Sequence, residues 1–284
     1  MRQVTPDHST EASRTASLWP VSTPLVHHLN CATMRPVGGR WASERVVCHA
    51  LLVERGDGLL LVDTGFGTAD LADPARLGQP FVSMMRPAFE LSETAVRQVE
   101  ALGFTAADVR DIVVTHMDLD HIGGIGDFPD ARIHVDLAEL DAARNPKLSE
   151  RNRYRSVQWS HGPEFVPHSS GGDRWFGFES VRAVGDDVLL VPLRGHSRGH
   201  CGVAVRDTAQ GPDSWLLHAG DSYFFHGEVE TPVRRKPGLT VFQKLLAADD
   251  KARRHNQERL RELVAGHPEV RVFSAHDEVE LARF

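Results

Sequence analysis

The chain has 284 residues, of which 41% are hydrophobic and 25% charged, so it can bury a large core. Its formal net charge of −7 argues against nucleic acid as a main partner, because an acidic surface repels phosphate backbones. The N-terminus is polar, no apolar run is long enough to cross a bilayer, and three cysteines do not suggest a disulfide framework. We expect a cytoplasmic protein without membrane partners.

The predicted elements alternate between strands and helices along the chain. Runs of β-branched and aliphatic residues between turn residues predict the strands, and apolar residues at helical spacing predict the helices. In chain order, the sequence predicts a hairpin over 45–54 and 59–63, a helix over 93–102, strands over 111–115 and 131–135, a helix over 137–143, strands over 188–193, 202–206 and 215–218, a helix over 239–264, and a last strand over 270–274.

The order of these elements predicts one domain made of two similar halves. A hairpin that ends in LLLVDTG is repeated in reduced form by one that ends in WLLHAGD. Residues 1–44 are interpreted as an N-terminal leader and extension, and 45–284 as a single domain. Residues 145–177 lack periodicity and hold proline, glycine and aromatic residues, which is typical of a functional or mobile loop, so a lid insertion is predicted there.

The strongest functional signal follows the predicted strand over 111–115. His116, Asp118, Asp120 and His121 place four side chains that can bind metal within six residues. The two intervening residues are apolar, and a Gly-Gly pair follows, so the loop can turn tightly beside the strand end. A solvated acidic loop with two chance histidines would not account for these flanking residues.

This segment resembles the metal-binding signature His-x-His-x-Asp-His of the metallo-β-lactamase superfamily, with Asp118 where most members have a second histidine. Other family segments are similar to pieces of this chain in the same order: LLLVDTG around Asp63, GHSRGH over 195–200, AGD over 219–221 and SAHD over 274–277. The resemblance covers residues 45 to 280. It implies an α/β fold, a four-layer αββα sandwich of two mixed β-sheets flanked by helices.

The resemblance also implies two divalent metal ions. One ion would be bound by His116, Asp118 and His200, the other by Asp120, His121 and His276, with Asp221 between them. Asp63 and His196 would support the ligands. Zinc is expected, and iron or manganese remain alternatives because imidazole with carboxylate suits all three and Asp118 makes one ligand set harder.

In this family a metal-bridging hydroxide would attack the carbonyl carbon, and Asp120 would both bind metal and move a proton. Tyr223 is a candidate to hydrogen-bond the substrate carbonyl. In lactonase-like members such a tyrosine lies three residues after the bridging aspartate, whereas Tyr223 lies two residues after Asp221. A tyrosine of the core or the pocket rim is the alternative.

The chain most resembles N-acyl-homoserine lactonases and small-molecule esterases, so the predicted reaction is hydrolysis of a small lactone or ester. A β-lactam, thioester or phosphodiester substrate, or a di-iron oxidoreductase, remain alternatives. The expected partner is a small molecule, and a homodimer is left open. A pocket for an acyl chain could be lined by aromatic residues of the 145–177 segment and by Met84, Met85 and Phe89. Alternatively, these side chains could pack in the core.

Overall fold

Apolar runs separated by turn residues form strands along the whole described part of the chain. The structure is a computed structural model that describes residues 25–169 and 171–284. Its strands are β1 (Leu25–Met34), β2 (Val46–Arg55), β3 (Gly58–Val62), β4 (Val109–Val113), β5 (Arg132–Asp136), β6 (Glu164–His168), β7 (Asp173–Trp175), β8 (Phe178–Val184), β9 (Val188–Pro192), β10 (Cys201–Arg206), β11 (Trp215–His218) and β12 (Val270–Phe273).

Helices connect and flank these strands. The α-helices are α1 (Thr68–Ala72), α2 (Gln79–Met85), α3 (Ala95–Ala101), α4 (Leu119–Ile122), α5 (Leu137–Arg144), α6 (Pro237–Leu246), α7 (Asp250–Gly266) and α8 (Glu278–Leu281). In the described ranges, none of them combines the length and the apolar character that a membrane span requires.

The strands form two sheets, each built from consecutive strands. In the described ranges, the first sheet has the order β1-β2-β3-β4-β5-β6, antiparallel from β1 to β3 and parallel from β3 to β6. The second has the order β12-β11-β10-β9-β8-β7, in which β11 and β12 are parallel and the other pairs antiparallel. The two predicted halves are therefore two mixed sheets.

The sheets pack face to face, and helices cover their outer faces. Leu60 and Val62 of β3 belong to the same buried cluster as Val203 of β10, which lies between the sheets. The alternate residue Leu61 packs with Val99 of α3 on the outer face. Burial on both faces explains the continuous apolar runs of these strands. The predicted four-layer αββα sandwich is confirmed.

Two predicted boundaries differ from the structure. The domain was predicted to start at residue 45, but β1 pairs with β2 from Leu25 onwards, so residues 25–34 belong to the first sheet. Residues 1–24 of the predicted leader lie outside the described residues. The single helix predicted over 239–264 is two helices, because the carboxylate of Asp249 accepts a hydrogen bond from the backbone N–H of Ala252 and caps a new one.

The predicted lid over 145–177 is divided among several elements. Its first part holds short 3-10 helices at Leu148–Glu150 and Ser156–Trp159, and its second part supplies β6 and β7, the edge strands of the two sheets. Trp159 packs against the core under the first sheet, and Trp175 packs against the outer face of the second. These aromatic side chains therefore agree with the alternative interpretation, in which they pack in the core.

Candidate metal centre

Loops from both sheets meet at one edge of the sandwich. His116 follows β4, Asp221 follows β11 and His276 follows β12. β9 has the same direction as β11 because both pair antiparallel with β10, so the loop after β9, which carries His196, opens at the same edge. Strand carboxyl ends are where α/β sheets commonly hold their sites, and here they bring distant residues together.

The first group of candidate ligands comprises His116, Asp118, His196 and Asp221, whose nitrogen and oxygen atoms lie within 4.8 Å of one another. His196 Nε2 lies 3.0 Å from Asp118 Oδ2 and 3.4 Å from Asp221 Oδ2. His116 Nε2 lies 3.4 Å from Asp118 Oδ2 and 3.8 Å from Asp221 Oδ2. We call this cluster group one.

The second group comprises Asp120, His121, Asp221 and His276. His121 Nε2 lies 3.2 Å from Asp221 Oδ1, and His276 Nε2 lies 3.1 Å from the same oxygen. Asp120 Oδ2 lies 3.6 Å from His276 Nε2. We call this cluster group two. Because one oxygen of Asp221 faces each group, its carboxylate lies between the two.

The far ring nitrogens of His121 and His276 are fixed by the protein. Asp63 Oδ2 lies 2.8 Å from His121 Nδ1, and the same carboxylate accepts hydrogen bonds from the backbone N–H and hydroxyl of Thr115. Nδ1 of His276 lies 2.7 Å from the carbonyl oxygen of Val47. Such contacts fix the tautomer and the ring orientation of a metal-binding histidine and leave Nε2 for the ion. Asp63 therefore has the supporting position that was predicted for it.

Glycines let the loops approach each other closely at this edge. Gly220, just before Asp221, has φ +52°, and a Cβ atom there would lie 2.6 Å from His200 Nε2. A Cβ atom at Gly124 would lie 2.8 Å from the carbonyl oxygen of Thr64. Larger residues at either position would push the ligand-bearing loops apart.

The unpaired polar atoms of the cluster fit divalent cations. Within the described residues, His116 Nε2, His121 Nε2 and Asp221 Oδ1 are buried without a hydrogen-bond partner. An unpaired buried polar atom costs about 1–3 kcal/mol, which binding an ion would offset. Atoms that share one ion at about 2 Å lie about 3.3 Å apart, near the 3.0–3.8 Å separations found here.

Charge is concentrated in this buried cluster. Burial alone would raise the pKa of Asp221, yet His276 and His121 hold that pKa well below its ordinary value. Burial, followed by the nearby Arg153 guanidinium, lowers the pKa of His196 to about 4, so this imidazole is neutral at physiological pH. The neutral imidazole of His196 and the ionised carboxylate of Asp221 are in the protonation states that metal binding requires.

The structure places His196, and not His200, in group one. His200 was predicted as a ligand, but its Nδ1 lies 2.9 Å from the carbonyl oxygen of Leu193, and its Nε2 accepts a hydrogen bond from the backbone N–H of Asp221 at 2.9 Å. Both ring nitrogens thus contact the backbone. His196, predicted to play a supporting role, is the histidine of this loop that faces group one.

Tyr223 does not face the cluster. Its side chain is fully buried, and its hydroxyl donates a hydrogen bond to the carboxyl group of Glu280 at 3.0 Å. The next residue, Phe224, lines the cavity above the site and packs edge-to-face on His276, with ring centroids 5.0 Å apart. The geometry therefore contradicts the catalytic role predicted for Tyr223 and gives it a structural one.

Tyr223→Phe is therefore expected to leave kcat and KM for hydrolysis unchanged. It should lower the free energy of unfolding by about 1–3 kcal/mol, because Glu280 is buried and loses a hydrogen-bond donor. Urea denaturation and steady-state kinetics on the same preparations test both statements. A large fall in kcat at unchanged stability would restore the catalytic role.

Three residues near the cluster were missed by sequence reasoning. Arg153 lies beside Asp118, with Nε 3.3 Å from Oδ1. Cys48 of β2 lies with Asp120 and His276 in a group that could also hold an ion. Glu139 of α5 accepts hydrogen bonds from the residues that follow His116 and His196 in the chain, namely Met117 and Ser197. None of these three lies in a segment that resembles a family motif, and only the fold brings them to the site.

A cavity of about 620 Å³ opens above the cluster, and Asp118, Asp120, His196, Asp221 and His276 border it. The apolar part of its lining includes the predicted residues Met84 and Met85, but not Phe89, and also Phe81, Phe224, Leu239 and Phe242. The first part of the 145–177 segment contributes a mainly polar part, with Lys147, Ser149, Glu150, Asn152 and Arg153.

The αββα sandwich and the histidine–carboxylate cluster at its edge define a metallo-hydrolase. The chain belongs to the metallo-β-lactamase superfamily, whose sequence profile matches residues 44–276. A probable metallo-hydrolase of Mycobacterium tuberculosis is 46% identical to it over 257 residues, which cover 89% of this chain and 80% of that protein. The chain is accordingly a hydrolytic enzyme.

Lactonases are among its more distant relatives. An N-acyl homoserine lactonase of Rhizobium johnstonii is 33% identical over 176 residues, covering 59% of this chain and 63% of the lactonase. An N-acyl homoserine lactone hydrolase solved with N-hexanoyl-L-homoserine at its catalytic metal centre superposes with a TM-score of 0.69 at 19% identity, covering 92% of this chain and 96% of that one. The second similarity is one of fold.

Proposed function

We propose that this chain is a binuclear metal hydrolase that cleaves a small lactone or ester carrying an apolar group. The observation that carries the proposal is the carboxylate of Asp221, which presents one oxygen to each of two histidine–carboxylate groups on the floor of a half-apolar cavity. This arrangement suits two cations that share one carboxylate.

In this proposal His116, Asp118 and His196 would hold one ion, Asp120, His121 and His276 would hold the other, and the carboxylate of Asp221 would be available to both. Two divalent ions would supply a water nucleophile of lowered pKa and a Lewis acid for the carbonyl oxygen. Zinc is the expected metal, because four imidazoles with three carboxylates suit it, although iron and manganese accept the same ligands.

The chain's own residues would orient the substrate and move the proton. Asp120 borders the cavity, where its carboxylate can take a proton from the attacking water and return it to the leaving group. Phe224 offers no hydrogen-bond donor at its place beside His276, so it would orient the substrate through apolar contact alone.

The cavity favours a substrate with an apolar tail. Phe81, Met84 and Phe242 form a continuous surface next to the cluster that would bury an alkyl or acyl chain at roughly 25 cal/mol per Å². The related lactonase of Rhizobium johnstonii is an N-acyl homoserine lactonase, and acyl homoserine lactones combine a lactone ring with such a tail.

A hydrolysis panel tests this function. Purified protein loaded with zinc, iron or manganese is assayed on acyl homoserine lactones and aryl esters of increasing chain length, and on a β-lactam, a thioester and a phosphodiester. We expect turnover of lactones or esters that increases with chain length and is lost on chelation. Turnover confined to the phosphodiester, or oxygen consumption by the iron form, would contradict the proposal and favour the corresponding alternative.

A further inference from the structure

Arg153 inserts a buried positive charge beside group one. It lies between the two short 3-10 helices of the 145–177 segment, and only 12% of its side chain is exposed. Its Nε lies 3.3 Å from Asp118 Oδ1. Its two terminal nitrogens donate hydrogen bonds to the carbonyl oxygens of His196, at 2.9 Å, and Leu246, at 2.8 Å.

The two oxygens of the Asp118 carboxylate have different neighbours. Oδ1 faces the guanidinium, and Oδ2 faces Nε2 of His196 at 3.0 Å. A carboxylate at this depth needs a charged partner, because an unpaired buried charge is strongly destabilising. Arg153 provides that partner and leaves one defined oxygen directed into group one.

The same guanidinium joins three parts of the chain that surround the cavity. It contacts the loop after β4 through Asp118, the loop after β9 through His196, and the end of α6 through Leu246. Each of its three nitrogens faces a protein oxygen, so the side chain is positioned to hold these parts of the chain together. A planar, rigid guanidinium suits this role better than a flexible ammonium.

We propose that Arg153 is a positioning residue for the metal ion of group one. It fixes Asp118 so that a single oxygen is offered to the ion. The inference rests on the proposed function, because it presupposes that group one binds a cation. It explains how an aspartate can stand where the family pattern has a neutral histidine.

The test is a double-mutant cycle between these two residues, read by metal affinity. The wild type, Arg153→Met, Asp118→His and the double variant are each freed of metal and titrated with zinc against a chromophoric chelator. Arg153→Met is expected to weaken one of the two zinc sites by about 10–100-fold, as loss of a contact to a metal ligand typically does, and to leave the other site unchanged. Arg153→Lys should restore part of that affinity.

The effect of Arg153→Met on zinc affinity in the Asp118→His variant gives the sharper comparison. A neutral imidazole needs no cationic partner, so removing Arg153 there should change zinc affinity less than about 3-fold, well below the loss in the wild-type background. The cobalt(II) absorption spectrum provides a second readout, which should change for Arg153→Met at one site only. Arg155→Met is the matched control, because Arg155 also donates hydrogen bonds to backbone carbonyls, those of Ala75 and Arg76.

The outcomes separate the inference from the function on which it rests. A wild type that binds two zinc ions, together with an Arg153→Met variant that binds both as tightly or more tightly, overturns the inference alone; Arg153 would then only neutralise Asp118. Equal losses in both backgrounds overturn it too. A wild type that binds no zinc, iron or manganese overturns the proposed function, and the inference with it.

Discussion

Asp120→Ala is expected to lower kcat/KM for hydrolysis by about 10²–10⁴-fold, the range observed when a group that transfers a proton is removed. Asp120 is nearly buried, borders the cavity, and places Oδ2 3.6 Å from His276 Nε2, so its loss removes a candidate ligand of group two together with the proton carrier. Steady-state kinetics on the best substrate of the panel, with metal in excess, measure the effect.

The fold should survive this change, because Asp120 contributes no apolar contact to the core. Circular dichroism and thermal unfolding of the metal-free proteins check this point. Asp130→Ala is the matched control, since Asp130 is an exposed carboxylate ten residues further along the same loop region. Wild-type activity in Asp120→Ala would mean that another residue carries the proton and that the proposed reaction scheme is wrong.

His196→Ala is expected to remove one metal ion of the pair and nearly all activity, whereas His200→Gln should retain both ions. The reason is geometric: His196 Nε2 faces two carboxylates of group one, whereas the Nε2 of His200 accepts a hydrogen bond from the backbone of Asp221. Glutamine keeps an acceptor for that bond, so His200→Gln should chiefly lower stability, by about 1–3 kcal/mol.

Elemental analysis after dialysis against a defined zinc concentration distinguishes the two variants. We expect a loss of affinity at one site of more than about 100-fold for His196→Ala, which exceeds the loss usual for a residue that only supports a ligand. Loss of an ion from His200→Gln, with both ions kept by His196→Ala, would show that His200, and not His196, binds the metal.

The fold was predictable because the sequence patterns that indicate it are local and recur along the chain. A strand that is buried on one face alternates apolar and polar residues. The runs LLLV before Asp63 and DIVVT before His116 are apolar almost throughout, which indicates sheets buried on both faces. β1 was missed because LVHHLNCATM mixes polar with apolar residues, and its polar members interact with specific partners. His28, for example, lies within hydrogen-bond distance of His49 on the neighbouring strand.

The candidate site was predictable in outline but not in every residue. GHSRGH presents two histidines, each preceded by glycine, and only the geometry of the loop between β9 and β10 decides which ring points inward. His200 directly precedes β10, which turns it towards the backbone of Leu193 and Asp221. Local sequence contains no signal for that choice.

Tyr223 and Arg153 illustrate two further limits of predicting a site from sequence. A shift of one residue along a loop turns a side chain to another side, so Phe224 rather than Tyr223 reaches the cavity. Arg153 lies in a segment without periodicity, and its partners stand 35 to 93 positions away along the chain. Such a contact depends on the whole fold, so the spacing of residues along the sequence could not predict it.

The most direct test of the central claim is the metal content of freshly purified wild-type protein, measured by elemental analysis together with its protein concentration. We expect about two zinc, iron or manganese ions per chain, both removed by chelation and both restored on adding the metal back. A chain that carries no such metal, and binds none when it is supplied, would contradict the binuclear centre and leave only the fold and the family established.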